Sequence, residues 1–192
     1  MNTDRMSAAA AAEVLEQQSG VISRRQVLEC GHTANDVRRL LRRREWATVV
    51  PGVYVNHTGL PTWRQRAWAA VLAAEPAALA DRSVLAPGCG PIHIAVDSGR
   101  TVVRRAGVVV HRRTRLESSV LWNASPPRLR VEEAALDVAD AAADDMDAVA
   151  VLSDVVGGRS TTVDRLLSAA RRRCRMRRRQ FLVGVLEDIR AA

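Results

Sequence analysis

An α+β fold is the class this sequence predicts: an N-terminal winged helix-turn-helix over residues 1–58, then a mixed domain over residues 59–192 with a small antiparallel sheet and C-terminal helices. Three observations carry that expectation. Two short, capped helical segments and two short β runs follow one another within residues 20–58; apolar β runs lie on either side of a turn near Asp97; and from Val131 onward the apolar residues recur at helical spacing.

The elements follow in order. An Ala-rich helix runs to about Gln18 and is stopped by Ser19-Gly20. Ser23, with Gln26 three residues on, has the spacing of a capping box, in which hydroxyl and amide side chains satisfy the free N–H groups of a helix start. That helix ends at Gly31. Thr33 and Asp36 start a second one, in which Val37, Leu40 and Leu41 share a face. After Arg44-Glu45-Trp46, residues 47–50 and 53–55 read as β runs around the Pro51-Gly52 turn, where a winged helix carries its wing. Pro61-Thr62 opens a helix with Trp63, Ala67, Ala70, Val71 and Ala74 along one side, ended by Glu75-Pro76. A helical turn at residues 81–85 precedes Ala86-Pro87-Gly88. Residues 92–96 and 107–112 then read as a hairpin joined by Asp97-Ser98-Gly99-Arg100, with residues 120–122 as a third strand. The C-terminal helices are broken at Gly157-Gly158 and within the Arg run at residues 171–179.

Composition narrows the chemistry. All 29 basic residues are Arg, so a Schiff-base enzyme, a P-loop nucleotidase and a nuclease with an acidic-x-Lys ending are excluded for want of the lysine. Six aromatic residues make a poor platform for stacking single-stranded bases. The three cysteines, Cys30, Cys89 and Cys174, are odd in number and unpaired in spacing, which suits a reducing cytoplasm and neither a disulfide framework nor a zinc knuckle. The longest apolar stretch, residues 67–74, is closed by Glu75 and is far too short for a membrane span. A soluble, cytoplasmic protein is expected.

Charge is segregated along the chain. Residues 20–58 carry 7 Arg against 3 acids, 59–130 carry 11 against 4, 131–158 none against 8, and 159–192 carry 10 against 3. The guanidinium fork donates two parallel hydrogen bonds to a phosphate, so a nucleic-acid partner is the first expectation for the basic blocks. The acidic block calls for another partner or for one of the chain's own Arg runs. On the second capped helix, inward Val37, Leu40 and Leu41 turn Asn35, Arg39 and Arg42 outward, with Arg38 and Arg43 on the flanks. Arg takes guanine and Asn takes adenine bidentately, while flanking Arg neutralises phosphates. Arg24 and Arg25 are expected on phosphates. Ser23 and Thr33 at the helix starts, and Tyr54, Asn56, His57 and Thr58 on the wing and its exit, complete the expected contacts to double-stranded DNA.

The run GVISRRQVLECGHTANDVRRLLRRREWATVVPGVYV resembles the N-terminal winged-helix domain of the AbiEi antitoxins of type IV toxin–antitoxin systems, of the actinobacterial kind. The specific part is the order of G-H-T, R-R-L-L-R-R, W and P-G-V-Y between Gly31 and Tyr54; PIHIAV, GVVVHRR and LDVADAA are similar to the central domain of the same proteins. The resemblance implies a DNA-binding autorepressor and not an enzyme, with a nucleotidyltransferase-like toxin or a second copy as protein partner. Relatives of this central domain continue into a restriction-endonuclease-like domain, so the alternative is the DNA-targeting part of a nuclease whose catalytic domain lies outside this chain.

Other candidates point to less. Seven of the nine residues at 171–179 are Arg, a phosphate clamp or, as the plainer expectation, a solvated linker helix. The acidic residues Glu132, Glu133, Asp137, Asp140, Asp144, Asp145, Asp147 and Asp154 fall on amphipathic helices and read as a solvated or internally paired face. His93 and His111 lie on neighbouring strands, but two ligands do not make a metal site and no third has fitting spacing, so no metal is expected. Ser83 and Cys89 have no nucleophile elbow. No catalytic residue and no cofactor are expected.

Overall fold

The computed structural model describes residues 2–88, 90–173 and 175–191, and the side chains from Met6 onward. Cys89 and Cys174, and any reading placed on them, lie outside the described residues.

The chain begins with α1 (Asn2–Gln17), β1 (Val21–Ser23), α2 (Arg24–Glu29), α3 (Ala34–Arg42), β2 (Ala47–Val50) and β3 (Val53–Val55). The three strands form an antiparallel sheet in the order β1-β3-β2, with Val21 opposite Val55 and Ala47 opposite Val55. Helices α1, α2 and α3 pack on it through Ala11, Leu15, Ile22, Val27, Val37, Trp46 and Tyr54. Three helices on a small sheet, with a hairpin directly after the third, is the winged-helix arrangement. Between α1 and β1 the chain turns through Gly20 at φ +85°, a left-handed conformation that glycine adopts without the strain a Cβ would bring.

The second part runs α4 (Trp63–Ala73), β4 (Ala77–Leu79), α5 (Arg82–Leu85), β5 (Ile92–Asp97), β6 (Val108–Arg113), α6 (Leu116–Ser119), β7 (Val120–Leu121), β8 (Arg128–Leu129), α7 (Val131–Asp140), α8 (Asp145–Gly157), α9 (Val163–Arg172) and α10 (Arg179–Ala191). Five strands form a mixed sheet in the order β6-β5-β4-β8-β7. Antiparallel pairing joins β4 to β5 and β7 to β8, while β4 and β8 run parallel.

The hairpin expected at residues 92–112 does not form. β5 and β6 are parallel, with Ile92 opposite Val108 and Asp97 opposite Arg113. The turn at Asp97 does form, through hydrogen bonds from the N–H groups of Gly99 and Arg100 to Asp97, but it does not send the chain straight back along β5. Instead the Arg100 guanidinium donates to the carbonyls of Ala74, Glu75 and Pro76 just past α4, and residues 98–107 return the chain to the start of β5, where the Ile92 N–H donates to Gly107. Parallel neighbours need such a return crossover, where antiparallel ones need only a tight turn.

Helix α4 explains why the two parts sit together. Ala67, Ala70, Val71 and Ala74 pack on the five-stranded sheet with Leu79, Ile92, Ile94 and Val96. Its opposite side, Trp68, Ala69 and Leu72, packs on the three-stranded sheet with Val21, Val53 and Val55. From Ala67 to Leu72 the helix is apolar and buried all round, and this part is shared by both sheets. The division expected at residues 58/59 therefore falls just before the helix that covers one face of the first sheet. At the other end, Leu136, Leu152, Leu166, Leu167, Leu182 and Leu186 are fully buried where α7 to α10 meet; cutting any one to Ala would cost about 2–5 kcal/mol.

Candidate nucleic-acid interface

Both expected capping boxes are formed, and they fix the start of each helix in the helix-turn-helix. The Ser23 hydroxyl accepts from the Gln26 N–H while the Gln26 side chain accepts from the Ser23 N–H; Thr33 and Asp36 do the same for α3. Gly31, at φ +88°, makes the turn between them. Val37 is buried and Leu40 and Leu41 are partly buried against the core, which leaves Asn35, Arg38, Arg39, Arg42 and Arg43 exposed, as the helical spacing demands.

The exposed side chains are held lightly. Arg38 donates to Asn35 Oδ1 at 2.9 Å, Arg39 pairs with Asp36 at 2.9 Å, and Arg43 approaches Glu45 at 3.8 Å. Solvent-exposed pairs of this kind contribute about 0–1 kcal/mol each, so phosphates or base edges can replace them at little cost. Hydrogen bonds from the Thr33 hydroxyl and N–H, helped by the Arg39 charge, hold the Asp36 carboxyl below its ordinary value and keep the cap ionised.

The remaining expected contacts divide. Arg24 is exposed beside the wing turn, where its N–H donates to the Gly52 carbonyl at 2.7 Å. Arg25 is exposed but bound to Glu75 at 2.6 Å and near Glu29 at 3.6 Å, so it braces α2 against the segment after α4. Three assignments need correction. Ser23 is 6% exposed and its hydroxyl is spent on the cap. Tyr54 is also 6% exposed, its ring against Trp46 with centroids 6.0 Å apart, because β3 is the central strand of its sheet and is buried along its whole length. His57 has both ring nitrogens engaged: Nδ1 accepts from the Gly59 N–H and Nε2 lies 3.1 Å from Gln65 Oε1. Gln65 in turn accepts from the Thr62 N–H and donates to the Ser19 carbonyl, so His57 ties the exit of the wing to α4. Thr33 is exposed, with its hydroxyl shared between the cap and Asp36. Asn56 and Thr58 are exposed, at the end of β3 away from the Pro51-Gly52 tip.

Three of the C-terminal arginines, Arg173, Arg178 and Arg179, have a different fate from those of α3. Arg173, its side chain 12% exposed, binds Glu133 and Asp137 at 2.8 Å each, and Arg113 on β6 grips the same two carboxylates from the other side. Arg178 pairs with Asp145, takes the Asp140 carboxylate on its N–H and donates to the Ala142 carbonyl. Arg179 donates to the carbonyls of Arg171 and Arg173. The acidic block thus meets the chain's own Arg run. The fold also brings Asp81 beside His93 and His111; it lies twelve positions before His93 with a short helix between, so no local spacing announces it.

Comparison with known proteins adds the fold alone. No protein-family model and no curated protein sequence matches the chain. The structure is similar to the crystal structure of the RV2827C protein from Mycobacterium tuberculosis at 17% identity and a TM-score of 0.51, with 94% of this chain and 77% of that chain covered. Among the described residues, no helix is long and apolar enough to cross a membrane.

Proposed function

We propose that this chain is a sequence-specific, non-enzymatic DNA-binding regulator that lays α3 in the major groove, and that it acts as an antitoxin-like autorepressor of the AbiEi kind. The observation that carries this reading is the nine-residue α3 itself, doubly capped at its start, buried on Val37 and exposed on Asn35, Arg38, Arg39 and Arg42. In helix-turn-helix docking the N-terminal part of the recognition helix meets base edges. Asn35 in the first turn and Arg39 one turn later are therefore the base readers, while Arg38, Arg42 and Arg43 reach the phosphates on either side. Arg24 extends the phosphate contacts beside the wing. A net charge of +8 supplies the field that draws the duplex in.

The protein partner in this reading is a nucleotidyltransferase-like toxin or a second copy, met by the part of the molecule beyond the wing. A gel shift of the full chain on the DNA upstream of its own gene, at two salt concentrations, tests the proposal. A shift at low salt that weakens steeply at high salt is expected, since each neutralised phosphate releases a counterion. Absence of any shift at low salt would overturn it.

A further inference from the structure

On the face of the five-stranded sheet that looks toward α7, two imidazoles and one carboxylate converge. His93 on β5 lies opposite Val109 and His111 on β6 lies opposite Ala95, so the histidines are diagonal neighbours on one face of a parallel pair. His93 Nδ1 is 3.0 Å from His111 Nε2, with the ring planes 17° apart and the centroids 5.2 Å apart, a separation that turns nitrogen edges rather than ring faces toward each other. Asp81, at the junction of β4 and α5, places Oδ2 3.4 Å from the same His111 nitrogen. All three donor atoms lie within 4.8 Å of one another. Ala95 lies opposite His111, and the Ala80 N–H donates to the His93 carbonyl, so both neighbours are small.

We propose that Asp81, His93 and His111 form a binding site for a divalent transition-metal ion of the zinc class. Three lone-pair atoms meet here, and the one N–H shared between the rings cannot satisfy two acceptors at full strength; a cation is bound by all three. Ligands about 2.0–2.1 Å from a tetrahedral ion sit a little over 3 Å from each other, the separation found between His111 and each of its two neighbours. Two imidazoles and one carboxylate are a donor set that zinc and its neighbours in the first transition row accept, and three protein ligands leave the fourth vertex to water or to a partner's group.

Two further features fit the same assignment. Asp81 adopts φ +45° and ψ −128°, a backbone conformation that glycine occupies freely and other residues rarely do, yet the position carries a carboxylate. The surrounding structure holds it there: the Ala80 N–H donates to the His93 carbonyl and the His93 N–H to the Ser83 hydroxyl, which locks the loop of one ligand to the strand of another. The two nearest buried arginines do not compete for Asp81: Arg113 and Arg173 are both taken up by Glu133 and Asp137.

Titration of the metal-free full chain with cobalt(II), read by its visible absorption, and with zinc by calorimetry tests the proposal. One equivalent is expected to bind with the strong bands of a tetrahedral site and no thiolate-to-metal band. His111→Ala should weaken binding by more than about 100-fold, beyond the roughly 10–100-fold that changes around a ligand produce. Asp81→Gly separates ligand from fold, because glycine relieves the backbone: its metal-free melting temperature should equal or exceed that of the wild type while its metal affinity falls as far. Failure of the wild type to bind either ion, or binding that survives in both variants, overturns the site.

Discussion

The arginines of α3 and Arg173, Arg178 and Arg179 of the C-terminal run are alike in sequence and opposite in the fold, while Arg171, Arg172, Arg175 and Arg177 of the same run stay exposed. On α3 the acids within reach are few and exposed, so Arg38, Arg39 and Arg42 remain turned to solvent with partners that water and phosphate can replace. At the C-terminal end an acidic helix pair lies alongside, and Arg173 and Arg178 are drawn into it, Arg173 to 12% side-chain exposure between two carboxylates. Density of basic residues thus says little about which of them a polyanion can reach; the location of the nearest buried carboxylate decides it.

The largest effect that would sharpen this contrast is on stability. Arg173→Ala leaves Glu133 and Asp137 only partly compensated by Arg113 and should cost about 3 kcal/mol in urea unfolding, in the range for breaking a buried pair. Next come the base readers. Asn35→Ala and Arg39→Ala should each lose about 1–3 kcal/mol of affinity for a mapped site and relax the preference at one base position, with folding changed by no more than about 0.5 kcal/mol. Wild-type affinity and preference in both would break the assignment of α3.

Smaller effects follow from the phosphate contacts. Removing Arg42 and Arg43 should flatten the slope of log affinity against log salt by about 0.9 per lost contact, nearly equally for all duplexes. Arg25→Ala should cost only about 0–1 kcal/mol of stability, because its pair with Glu75 is solvent-exposed. The smallest effect is at the helix start. Asp36 has a folded value below its unfolded one, so its contribution is present at pH above the unfolded value and is lost as pH falls through the folded value. The stability difference between wild type and Asp36→Asn should therefore shrink over that acid limb of the pH profile; a difference independent of pH there would mean the charge plays no part in the cap.

The helix-turn-helix was legible because its information is local: cap residues three positions apart, a glycine between, and an apolar stripe at helical spacing all lie within residues 23–42. Elements whose information is distant were not. β1 and β4 are three-residue strands buried on both faces, with no alternation to mark them. Periodicity showed one apolar side of α4 and missed the second, since Trp68, Ala69 and Leu72 matter only once the first sheet is in place. The parallel pairing of β5 with β6 depends on where Arg100 is anchored, after α4. Tyr54 looked like a wing residue by order along the chain and is a core residue by strand position. The α3 face was legible; its division from the C-terminal Arg run was not, because that rests on pairs 36–40 residues apart.

The most direct test is a fluorescence-anisotropy titration of the upstream duplex with two triple variants that remove equal charge, Arg38→Ala/Arg39→Ala/Arg42→Ala on α3 and Arg172→Ala/Arg175→Ala/Arg177→Ala among the exposed arginines of the C-terminal run. If DNA is read by α3, the first variant loses binding at low salt while its melting temperature is kept, and the second binds close to wild type. Loss of binding in the second with retention in the first would contradict the account and move the DNA site to the C-terminal helices.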